Sequence, residues 1–170
     1  FEMATGTGKT VTALAAAVQT AEQCEKKGET LLIVVCVPDN PLVQQWSDEA
    51  KLFGFEPVTS GPKSTNWRRK VLDELLQLKH RQKSCSFIVM NFEAALGDNQ
   101  NLLRHIERHQ SLDSSGPAKV MLIADEAHGL GSEKRKRLLL ERYDYRLALT
   151  ATFSRHFDEE GTALLEEYFK

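Results

Sequence analysis

The sequence predicts an α/β domain with a mostly parallel sheet and helices on both faces. Four short apolar runs, at residues 31–37, 87–90, 120–124 and 147–149, lack the alternation of half-exposed strands. They suit strands buried on both faces. Between them lie segments with helical spacing, such as Val11, Leu14, Ala15 and Val18, then Val71, Leu72, Leu75 and Leu78. Strand and helix therefore alternate, which selects a parallel sheet with crossover helices. The polar residues best suited to chemistry follow the apolar runs directly, at what becomes one sheet edge. In open α/β sheets that edge binds ligands.

The 170 residues, 41% of them hydrophobic, suffice for one domain with a real core. The Ala-rich segment after Thr10 is apolar nearly all round, so a buried helix is expected there. Turn-forming stretches at 59–66, 97–101 and 111–117 read as loops within the domain, with no internal repeat. Only Phe1, Glu2 and Met3 precede the glycine-rich loop, and residues 164–170 stop in a helical pattern without a C-cap glycine. The chain thus reads as a fragment at both ends.

The 22 basic and 24 acidic residues give a net charge of −2, so no global positive field advertises nucleic acid, and any such site is local. Cys24, Cys36 and Cys85 are odd in number and lack CxxC spacing, which argues against a disulfide framework or zinc site and for a reducing, cytoplasmic compartment. No apolar run is long enough to span a bilayer, and no signal peptide opens the chain.

Ala4-Thr5-Gly6-Thr7-Gly8-Lys9-Thr10 leads straight into a helix, the arrangement that grips phosphates. Its glycines allow backbone N–H groups to point inward, and the helix N-terminus adds positive charge. Thr5, Gly6, Thr7, Gly8, Lys9 and Thr10 are the candidate nucleotide ligands. Lys9 is placed to reach the β- and γ-phosphates of ATP, and the Thr10 hydroxyl to ligate Mg2+. Met3 occupies the first glycine position of the full P-loop pattern and leaves the core GTGKT intact.

Asp125 and Glu126 follow the run 120–124 and place two carboxylates at a strand end, as a hard cation requires. Asp125 fits the role of holding magnesium, and Glu126 that of polarising the attacking water. Thr150-Ala151-Thr152 follows the fourth run. Pro38, Leu42, Gln45 and Trp46 follow the first. Alone, Thr150 and Thr152 are ordinary strand-ending β-formers; beside the other motifs they become site candidates.

Together these segments resemble motif I (ATGTGKT), motif Ia (VPDNPLVQQW), motif II (IADEAH) and motif III (LTATF) of superfamily 2 helicases. The resemblance spans nearly the whole chain and is strongest to the branch of type I and type III restriction-enzyme motors and excision-repair helicases. Arg155, Asp158 and Tyr168-Phe169 also resemble that branch, whereas Phe153 stands where proline is usual. The resemblance implies a RecA-like P-loop NTPase domain over residues 1–170, ATP with Mg2+, and a second RecA-like domain along the parent chain. It makes His128, Thr150 and Thr152 the residues coupling hydrolysis to movement, and favours DNA over RNA.

Nucleic-acid contacts are harder to read, because many come from backbone N–H groups. Residues 38–46, with Pro38 and Gln45, and residues 91–95 are the candidates. Trp46 reads as a core anchor, not a stacking platform. The basic clusters 67–70, 79–81 and 134–137 read as solvated helix faces, and His80, His105, His109 and His156 form no trusted metal spacing. The leading expectation is an ATP-dependent helicase or translocase. A P-loop ATPase driving a protein machine, or a nucleotide-gated nucleic-acid sensor, is the alternative.

Overall fold

The computed structural model describes residues 8–61, 66–97, 118–152 and 158–170. Their strands are β1 (Thr30–Val37), β2 (Pro57–Thr59), β3 (Cys85–Asn91), β4 (Ala118–Asp125) and β5 (Tyr145–Leu149). Their helices are α1 (Lys9–Lys26), α2 (Asn40–Leu52), α3 (Trp67–Lys79), α4 (Phe92–Leu96) and α5 (Glu159–Phe169), with 3-10 turns at Ala127–Gly131 and Arg135–Leu138. All strand pairs are parallel, in the order β2-β3-β1-β4-β5.

The apolar run of β1 is buried along its whole length, which explains why it lacks alternation. Leu31, Ile33, Val35 and Val37 face Ala13, Leu14 and Ala17 of α1 and Val43, Trp46 and Ala50 of α2. Leu32, Val34 and Cys36 face the opposite cluster, with Val71, Leu75 and Leu78 of α3, Phe92 of α4 and Leu165 of α5. Each fully buried leucine or isoleucine contributes roughly 1.5–3 kcal/mol. The central strand thus ties both helical layers together.

Pairing levels the strand ends: Val37 stands opposite Asn91, Cys36 opposite Ala124, and Asp125 opposite Leu149. Chain order reverses at β1, whose neighbours are β3 and β4, so the crevice at these carboxyl ends is a topological switch point. Capping side chains start several helices there. Asp39 accepts a hydrogen bond from the Leu42 amide at 3.0 Å, with Pro41 in the first turn of α2. Asn91 accepts from the Ala94 amide at 2.7 Å at the start of α4.

Two expectations need correction. The α1 helix buries one face only, through Ala13, Leu14, Ala17 and Cys24, while Val11 is exposed. Its one exposed alanine, Ala15, carries little apolar area and serves helix propensity. Thr59, read as the start of a loop, ends the three-residue edge strand β2.

The region flagged around Asp158 and Tyr168 is structural. Asp158 caps α5 by accepting from the Gly161 amide at 2.8 Å, and a Cβ on Gly161 would lie 2.5 Å from that carboxylate. The Arg146 guanidinium stacks 4.2 Å from the Tyr168 ring, and the Tyr168 hydroxyl donates to the Leu140 carbonyl at 2.6 Å. These contacts fasten α5 to β5.

Candidate functional site

Gly8 adopts a left-handed conformation (φ 81°, ψ 23°) as the N-cap of α1 and provides no capping side chain. The first amide groups of α1 therefore have no side-chain cap, as suits an anion-binding helix start. Thr5, Gly6 and Thr7 lie outside the described residues, as do Phe153 and Arg155. Lys9 and Thr10 occupy the first turn. Among the described residues the buried Lys9 Nζ has no hydrogen-bond acceptor and stands 4.0 Å from Glu126 Oε1. A buried ammonium without an acceptor is costly. It fits a site whose natural acceptor is an anionic phosphate oxygen.

The run 120–124 delivers Asp125 to the carboxyl end of β4, where it is only 7% exposed. The Trp46 Nε1–H donates to Asp125 Oδ2 at 2.8 Å, and the Glu126 amide donates to Oδ1 at 3.0 Å. Trp46 is indeed a fully buried anchor of α2, but it also touches the candidate metal ligand, a contact that sequence reading missed.

Glu126 has a left-handed backbone (φ 48°, ψ 49°) although it is not glycine. Such a conformation costs about 1–3 kcal/mol and gathers at functional turns. It ends β4 abruptly and begins the 3-10 turn Ala127–Gly131. The Glu126 carboxylate thereby lies between Lys9 and His128: its Oε2 is 3.3 Å from His128 Nδ1. His128 Nδ1 is in turn 3.3 Å from Thr150 Oγ1.

The fully buried Thr150 hydroxyl donates to the Thr152 carbonyl at 2.6 Å and accepts from the Thr152 amide at 3.2 Å. Its proton is thus committed, so towards His128 it acts as acceptor, which assigns the hydrogen to His128 Nδ1. A continuous polar path runs Lys9, Glu126, His128, Thr150, Thr152. It joins the first turn of α1, the turn after β4 and the segment after β5, which are distant in sequence.

The two named nucleic-acid candidates stand apart from this path. Pro38 is half-buried just after β1, and Gln45 is exposed on α2, where its Nε2 donates to Glu49 Oε1 at 2.9 Å. In the basic clusters, Trp67 is buried with Arg68 stacked on its ring, Arg81 donates to the Gly28 carbonyl, and Lys134 pairs with Glu93 at 2.6 Å. These contacts give those charges roles on the surface of the fold.

Residues 1–155 match the family described as type III restriction enzyme, res subunit. The chain belongs to this family. Membership makes the described α/β sheet a RecA-like motor domain of helicase superfamily 2. Among solved structures, a nuclease-deletion mutant of the Type ISP restriction-modification enzyme LlaGI, in complex with a DNA substrate mimic, is similar with a TM-score of 0.63 at 16% identity. That likeness covers 94% of this chain and 16% of the LlaGI chain, and at such identity it bears on the fold alone. None of the curated proteins compared matches this res-subunit family member. No helix among its described residues is long and apolar enough to cross a membrane.

Proposed function

We propose that this domain is the ATP-binding half of an ATP-dependent helicase or translocase acting on nucleic acid, DNA in preference to RNA, in the cytoplasm. The observation that carries the reading is the polar path from Lys9 through Glu126 and His128 to Thr150 along the carboxyl edge of a parallel sheet. A site built only to hold nucleotide has no need of that onward connection.

In this reading the loop Thr5, Gly6, Thr7, Gly8 cradles phosphate with backbone N–H groups, and Lys9 supplies the acceptor-free ammonium. Thr10 and Asp125 hold Mg2+, which when bound neutralises charge on the phosphate oxygens. Glu126 accepts the proton of the attacking water at its carboxylate. His128 senses the state of Glu126 through Nδ1, and Thr150 and Thr152 carry that state towards the following segment. The exposed residues within 38–46, with Pro38 and Gln45, and within 91–95 are the proposed nucleic-acid contacts, apart from that path. DNA is favoured because of the restriction-enzyme branch that the motifs resemble.

A second RecA-like domain of the parent chain completes the motor. ATP turnover by the full-length protein should rise on adding nucleic acid, more with DNA than with RNA. The stimulation should weaken as salt screens phosphate contacts. Steady-state phosphate release across a salt series measures this, and a protein that hydrolyses ATP without responding to DNA or RNA would instead drive a protein partner.

A further inference from the structure

The indole of Trp46 is fully buried on α2, 79 positions before the carboxylate it touches, and its Nε1–H donates to Asp125 Oδ2 at 2.8 Å. A buried indole N–H needs a partner, and any carbonyl would serve. Here the partner is the buried carboxylate at the head of β4, the candidate metal ligand. The other oxygen, Oδ1, receives the Glu126 amide at 3.0 Å.

We propose that Trp46 is a positioning residue that fixes the Asp125 carboxylate for Mg2+ held with nucleotide. The inference rests on the ATP-site reading above. Two donors from two different elements, α2 and the turn after β4, grip the two oxygens and so set the rotation of the carboxyl plane. A carboxylate offers about four lone-pair directions, so this grip uses one on each oxygen and leaves one on each for a cation or its water. The hydrogen bonds also give both carboxylate oxygens a partner in a site only 7% exposed. The fully buried ring belongs to the core cluster that also holds Val43, Ala50, Val35 and Val37, so the core and not the ligand holds it. Removing a donor that holds a metal-binding side chain in place usually changes metal affinity by about 10–100-fold.

The test is Trp46→Phe in the full-length protein, which keeps an aromatic ring in the core and removes the N–H. Binding of ADP is titrated at rising Mg2+ and, separately, in EDTA. The Mg2+ concentration needed for half-maximal enhancement of ADP binding should rise about 10–100-fold, with metal-free ADP affinity within about twofold of wild type on the same grounds. Unchanged Mg2+ dependence would overturn the proposal, and so would an equal loss of metal-free binding, which marks a merely structural role. Should the variant not fold, a fluorinated tryptophan placed at position 46 keeps the native contact. Its fluorine resonance should shift on adding Mg2+ with ADP and stay in place with ADP in EDTA; identical spectra in both would overturn the proposal. Wild-type protein that binds no ADP under any condition contradicts the ATP-site reading itself, whereas normal wild-type binding with an indifferent Trp46→Phe contradicts this inference alone.

Discussion

Lys9→Ala in the full-length protein should lower ATP turnover by at least about 10²–10³-fold, the scale for removing one positioned donor from developing charge. That loss corresponds to roughly 3–4 kcal/mol of transition-state stabilisation. The same substitution should leave the melting temperature unchanged or raise it. Among the described residues the buried Lys9 ammonium has no hydrogen-bond acceptor, and its nearest carboxylate oxygen, on Glu126, is 4.0 Å away. Deleting such a group removes a desolvation cost that the 4.0 Å pairing with Glu126 offsets only in part. Steady-state turnover and thermal unfolding on one preparation check both halves. Wild-type turnover would remove Lys9 from the site, and a collapsed melting temperature would make it a structural residue.

Residues 1–170 without the proposed second RecA-like domain should turn over ATP about 10³–10⁵-fold more slowly than the full-length protein, even with nucleic acid present. An arginine supplied against the transferring phosphate contributes on that scale, which is about 4–7 kcal/mol. The described arginines with assigned contacts are committed elsewhere. Arg68 stacks on Trp67, Arg81 bonds the Gly28 carbonyl, Arg135 lies over Phe92 beside Glu93, and Arg146 bonds the Glu141 and Tyr168 carbonyls. ADP should still bind the shortened protein, because Lys9, Thr10 and Asp125 remain. Turnover rates of the two proteins, measured side by side, decide the matter. Equal rates would place the arginine within these residues.

The sequence revealed the sheet because its central strands are buried on both faces and therefore read as unbroken apolar runs. The edge strand β2 escaped, since Pro57, Val58 and Thr59 are half-buried and too few to show a period. The order of the strands was not legible at all. Nothing local in β1 states that β3 and β4 become its two neighbours.

Of the candidate site, the residue types were legible and the connections were not. The placement of Lys9, Glu126, His128, Thr150 and Thr152 along one path depends on strand register and on the left-handed turn at Glu126. A glutamate gives no sequence signal for that backbone, in contrast to Gly8. Trp46 shows the same limit. Its place beside the buried positions Val43, Ser47 and Ala50 marks it as core, and only the fold brings its N–H to Asp125.

Whether ATP hydrolysis here drives movement along nucleic acid shows in the length of the strand on which the protein works. ATP turnover by the full-length protein is measured on single- and double-stranded DNA of increasing length, at constant total nucleotide. A motor takes more steps per encounter on longer strands, so turnover should climb with length to a plateau on at least one of the two forms, and Lys9→Ala should abolish it. Turnover that is stimulated by DNA yet flat across all lengths of both forms would rule out a motor and leave a stationary, nucleotide-gated sensor.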